Sequence, residues 1–259
     1  MYNLLKIEFM KLRKSKEFRY IFLGICLISI GLMSNEIYCM EVLLRKMNPE
    51  VTVNGLNFYG EMINGKIYIE VLQNILIIIC ICKDFEKRIV QSEYLAGYSR
   101  FEILMSKVII CFFIKAVLTF FFAFISTAGI SILYGLGQEL TFTLIFKILR
   151  MYSLSVLISC GIATVAIMIS YIFKTISASV LVWVGVFLGY LTGMTVLGEM
   201  FKSAQSLQYL LDNSIFEFYR MVKLDMFSGD IIYIISMSSL RIFIVLVITY
   251  IIFRKTELR

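Results

Sequence analysis

Long apolar runs alternate with short polar islands along the whole chain. Runs at about 20–39, 67–82, 108–134, 151–173, 178–198 and 231–253 are continuous and helix-length, with none of the strand-like alternation of a membrane barrel. A backbone in hydrocarbon must satisfy its own polar groups, so such runs predict membrane-spanning helices. The expected architecture is an all-α integral membrane protein: one transmembrane domain over 1–259 with six spans. The stretch 116–134 is uncharged and long enough to cross alone, which makes Lys115 a snorkelling anchor at its border.

The islands between the runs set the orientation. Residues 1–19 are basic, with Leu5, Phe9 and Leu12 on one helical stripe; this predicts an interfacial amphipathic helix on the cytoplasmic leaflet, which is also the positive flank of the first span. Residues 41–66 hold Pro49, Gly55, Gly60 and Gly65, suiting an outer loop with one short helix. The connection 174–177 is so short that spans four and five must form a tight antiparallel hairpin. The longest outer segment, 199–230, mixes Phe216, Phe218 and Tyr219 among charges, a composition suited to lying on or dipping into the outer leaflet. Of the 25 lysines and arginines, fifteen fall on the side with the termini and eight on the other, so both termini are expected in the cytoplasm.

The island 83–107 is the most structured. Phe85, Ile89 and Tyr94 recur at helical spacing, Gly97 offers a left-handed stop, and Ser99-Arg100-Phe101-Glu102 is a capping box ahead of an apolar run. A short surface helix over 84–96, a break, and a fresh helix are predicted.

The series Asp84-Phe85-Glu86, Arg88, Gly97-Tyr98-Ser99-Arg100, Glu102-Ile103 and Ser106-Lys107 resembles the first cytoplasmic loop of ABC-2 type permeases, the membrane subunits of type 2 ABC exporters. The amino-terminal Leu4-Leu5-Lys6-Ile7-Glu8-Phe9-Met10-Lys11-Leu12-Arg13-Lys14 and the ending Phe253-Arg254-Lys255-Thr256-Glu257-Leu258 are similar to that family's two ends. The resemblance implies a multi-pass subunit of the cell membrane, coupled to a separate ABC ATPase through Asp84, Phe85, Glu86, Arg88, Gly97, Ser99, Arg100 and Glu102. It also implies a second permease copy or a sister permease as partner. Small subunits of this kind expel antimicrobial peptides in self-immunity or resistance.

Composition agrees with a membrane protein: 60% hydrophobic residues and a single proline, with a mean hydropathy of +0.87. The net charge of +7 follows from orientation and lipid contact, and no nucleic-acid partner need be invoked. The chain has no histidine, which removes histidine-activated nucleophiles and histidine-ligated metal sites. The cysteines lie almost entirely inside apolar runs, and Cys80-Ile81-Cys82 lacks zinc spacing. Ser228-Gly229-Asp230 has Phe227 where an aspartyl intramembrane protease needs glycine. Gly60-Glu61-Met62-Ile63-Asn64-Gly65-Lys66 mimics a phosphate-binding loop, but Ile67 replaces the magnesium-binding hydroxyl. The expectation is no enzyme, no cofactor and no nucleotide-binding motor within the chain.

Two intramembrane features remain. Gly185, Gly189 and Gly193 form a tandem glycine face that lets another helix approach closely, either within one subunit or across a dimer. Arg241 lies midway through span six, and Glu70, with Gln73 and Asn74 on the same face, lies at a matching depth in span two, about 20 Å above the cytoplasmic border. A charge there needs a partner, so Glu70 and Arg241 are expected to pair, with Glu36 the alternative acid. An ion-coupled secondary transporter using that pair is the competing functional class, although no internal repeat supports it.

Overall fold

The computed structural model describes residues 1–38, 54–64, 67–200 and 217–255. Within them the chain is helical: α1 (Tyr2–Lys14), α2 (Lys16–Tyr38), α3 (Gly55–Asn64), α4 (Ile67–Glu86), α5 (Ile89–Leu95), α6 (Arg100–Tyr134), α7 (Phe142–Phe173), α8 (Ile176–Met200), α9 (Glu217–Met221) and α10 (Ser228–Lys255). Four stretches are long and apolar enough to cross a membrane: Lys16–Asn35, Arg100–Tyr134, Phe142–Phe173 and Ser228–Lys255. Of the other two long helices, α4 carries Glu70, Lys83, Asp84 and Glu86 among its 20 residues, and the apolar stretch Ile176–Tyr190 of α8 is shorter.

Local chemistry sets the helix ends. Ser15 is extended (φ −71°, ψ 129°) and separates α1 from α2; its Oγ accepts from the Phe18 N–H at 2.9 Å and so caps α2. The expected uniform helix over 1–19 is therefore two pieces. The buried stripe also differs from the expected one: Leu4, Glu8 and Leu12 face inward, while Phe9 is exposed and touches Phe113 at a ring separation of 4.9 Å. Lys174 takes a left-handed conformation (φ 58°) to end α7, and α8 starts two residues later, giving the tight hairpin.

The loop helix is shorter than expected. Asp84, Phe85 and Glu86 complete α4; Arg88 turns the chain with φ 56°, and only Ile89–Leu95 forms the surface helix α5. The sequence offers no stop at Lys87 or Arg88, because its helical periodicity runs through both. Gly97 (φ 91°) then breaks the chain. At Ser99 both halves of the capping box form: Oγ accepts from the Glu102 N–H at 3.2 Å, and the Ser99 N–H donates to the Glu102 carboxylate at 3.0 Å.

Helix α7 is the centre of the bundle, packed against α10, α4, α6 and α8. Ile158, Ile162 and Ala166 meet Ile78, Trp183, Phe218 and Ile234 in the main core. At the end of the bundle where α4, α7 and α10 finish, Phe85, Tyr171 and Phe253 join these helices through edge-to-face rings, Tyr171 lying 5.1 Å from Phe85 and 5.0 Å from Phe253. A third cluster, with Leu12, Ile25, Ile69, Leu118 and Phe122, seats α2 against α4 and α6.

Candidate functional site

Two polar clusters lie where α4 meets α6. The one nearer the amino terminus of α6 is built around Lys107, which α6 holds on its buried face. Its ammonium bonds Asp84 from the end of α4 and Glu8 of α1 at 3.1 Å, with Glu93 of α5 at 4.0 Å. Lys11 closes the ring from outside, reaching Glu8 at 2.7 Å, Glu93 at 3.1 Å and Asp84 at 3.4 Å. Burial pushes the Glu8 carboxyl up, but Lys107 and Lys11 more than offset this and leave it below its ordinary value. Burial and Lys107 act downward on Lys11, while Asp84 and Glu8 outweigh them and raise it. Three carboxylates shared by two ammoniums thus bind α1, α4, α5 and α6 into one unit.

The remaining loop residues fasten this unit to the other helices. The exposed Glu86 accepts from the Ile176 N–H at 2.9 Å and caps α8. Arg100 donates to the Phe253 carbonyl at 2.9 Å and to that of Arg254, where a cation complements the C-terminal end of α10. Its guanidinium also lies 5.4 Å from the Tyr94 ring centre. Arg88 points its exposed side chain away from the bundle. The tip of α5 stands out, with Leu95 85% exposed beside Tyr94 and Phe101.

The deeper cluster corrects the expected ion pair. Glu70 meets Lys115 at 2.6 Å, and both are buried. Ser159 and Tyr219 donate to the other carboxylate oxygen at 2.7 and 2.9 Å. Lys115 is therefore not a border anchor: α6 is one unbroken helix of 35 residues, and it carries this lysine into the core. Arg241 instead lies over the Phe218 ring, 4.6 Å from its centre. The side chain of Glu36 falls outside the described residues. Gln73 and Asn74, fully buried one turn from Glu70, have amide atoms with no hydrogen-bond partner among the described residues.

The chain matches no protein-family model and no curated protein. The glycine face is open. Among the described residues, a Cβ on Gly185 or Gly189 would meet nothing within 4 Å, so no described helix packs closely on these two; the surroundings of Gly193 lie outside the described residues.

Sequence reasoning missed Glu8, Glu93, Lys107, Lys115, Ser159 and Tyr219 as site residues. The spacing Leu4, Glu8, Leu12 and the repeat Lys107, Cys111, Lys115, Thr119 were the available signals, each setting charged groups on a helical face that recurs every four residues. Residues 60–64 of the phosphate-loop mimic lie in α3, a helix where such a loop needs an open turn.

Proposed function

We propose that the chain is the six-span permease subunit of an ATP-driven exporter of the ABC-2 type, with both termini cytoplasmic. In this reading α4 and α8 also cross the bilayer, the subunit pairs with a second permease through the open Gly185 and Gly189 face, and a separate ATPase docks on α5. Antimicrobial peptides are the proposed cargo, on the strength of the resemblance alone.

The observation that carries the reading is the protruding tip of α5. Leu95, Tyr94 and Phe101 are exposed where the orientation puts water and not lipid. Behind them, Glu93 is tied by Lys11 and Lys107 to three other helices. A push on that tip by closing ATPases would pass to α1, α4 and α6 together, and through Glu86 and Arg100 to α8 and α10.

The test is to purify tagged protein in mild detergent from its own cells and identify what accompanies it by mass spectrometry. An ATPase in near-equal amount, lost on Leu95→Glu or on charge reversal at Arg88, supports the reading. A chain that emerges alone even after cross-linking removes the motor. Transport that collapses with the ion gradient and ignores ATP would favour the gradient-driven class, acting through Glu70 with Lys115.

A further inference from the structure

A cavity of about 480 Å³ opens beside the hinge at Ser15, between α1, the start of α2, the end of α4 and α6. That volume lies in the usual range of small-molecule sites. Leu12, Cys80, Ile110 and Ile114 give it an apolar floor beside the buried, ion-paired Lys107; five further lysines and three carboxylates complete the lining around its mouth.

The carboxylates are already matched. Glu8 and Asp84 are held by Lys107 and Lys11, and Glu17 by Lys83. Lys14, Lys16 and Lys87 line the same mouth and form no ion pair among the described residues. The cavity thus presents three ammoniums outside any ion pair among the described residues, Lys87 also acting on Glu17 from a distance, over an apolar floor; with the termini cytoplasmic, as proposed above, this level meets the cytoplasmic leaflet.

We propose that this cavity binds one anionic phospholipid, its phosphate held by Lys14, Lys16 and Lys87 and the first part of an acyl chain laid on Cys80, Ile110 and Ile114. A neutral or zwitterionic lipid leaves the three charges unmatched, and a soluble anion leaves the floor uncovered. The occupant joins α1 to the membrane-embedded helices at their one extended connecting residue, so it sets the angle of α1. The inference rests on that orientation and not on any exporter activity.

The experiment is native mass spectrometry of the full chain in detergent, titrated separately with phosphatidylglycerol and phosphatidylcholine. The expected result is one phosphatidylglycerol retained at a concentration at least roughly tenfold below that needed for phosphatidylcholine. The triple change Lys14→Gln, Lys16→Gln and Lys87→Gln should abolish this preference, while Lys6→Gln, Arg13→Gln and Lys255→Gln together should keep it. Cys80→Trp fills the floor with every charge intact and should also release the lipid; if that variant misfolds by size exclusion, the two lysine sets decide. Equal loss in both charge sets, or equal retention of the two lipids, would overturn the proposal. So would displacement of the lipid by millimolar inorganic phosphate, which would make the site one for a soluble anion.

Discussion

Glu70 and Lys115 form a salt bridge of 2.6 Å in which neither side chain is more than 1% exposed. Removing one partner strands the other charge in the interior, at a cost of about 3–5 kcal/mol, whereas replacing both by apolar groups of similar volume is often neutral. Lys115→Met and Glu70→Leu should each lower the unfolding midpoint in detergent sharply, and the double variant should recover most of the loss. Arg241→Ala should show no such coupling to Glu70. Independent, additive effects of Lys115 and Glu70 in the thermal-shift cycle would refute the pairing.

The ring around Lys107 and Lys11 predicts a pH window for the docking of α1. Glu8 titrates below its ordinary 4.5, so its contribution is complete above that value and disappears as pH falls through the lower, folded value. Lys11 titrates above its ordinary 10.5, so its contribution is complete below that value and disappears as pH rises through the higher, folded value. A spin label on α1 should report an immobile helix across the plateau between these limits and mobility on either side. Glu8→Gln should flatten the acidic limb and move the alkaline one to lower pH, because Glu8 is one of the groups that raise Lys11.

Gly189→Leu separates assembly from folding. With nothing within 4 Å of an added Cβ, the folding stability of the single subunit should fall by no more than about 0.5 kcal/mol. Particle mass by light scattering should fall towards one copy if this face joins two permeases. An unchanged mass would place the contact elsewhere.

Asn74→Leu tests the buried amides beside Glu70. An orphaned buried amide costs about 1–3 kcal/mol, and an apolar replacement of similar shape removes that cost. The variant should be as stable as the parent or more so. A clear loss of stability in the same detergent assay would mean that the amide is satisfied in the membrane.

The legible parts of the fold were those written in local backbone chemistry. Gly97, the Ser99 box with Glu102 and the short connection after Phe173 are each decided by neighbouring residues, and the structure has all three. The site was less legible because charge partners are decided by helix rotation. A helix that is apolar on every side gives no periodic signal for which face is buried, so Lys115 read as a border residue and Arg241 as the natural partner of Glu70. The same ambiguity turned Leu5 and Phe9 into the apparent face of α1, where Leu4 and Glu8 are the buried ones. Tyr219 reaches Glu70 from 149 positions away in the chain, a distance that no local pattern encodes.

Asp84 with Lys107 and Glu70 with Lys115 join the same two helices at two heights. Sliding α4 past α6 by a single turn, about 5.4 Å, would sever both links at once. A piston stroke between them is therefore the costliest motion available to the pair, and rotation as one rigid rod is the cheapest. A push on the Asp84 end of the pair drives a crowbar, with the buried lysines as its rivets.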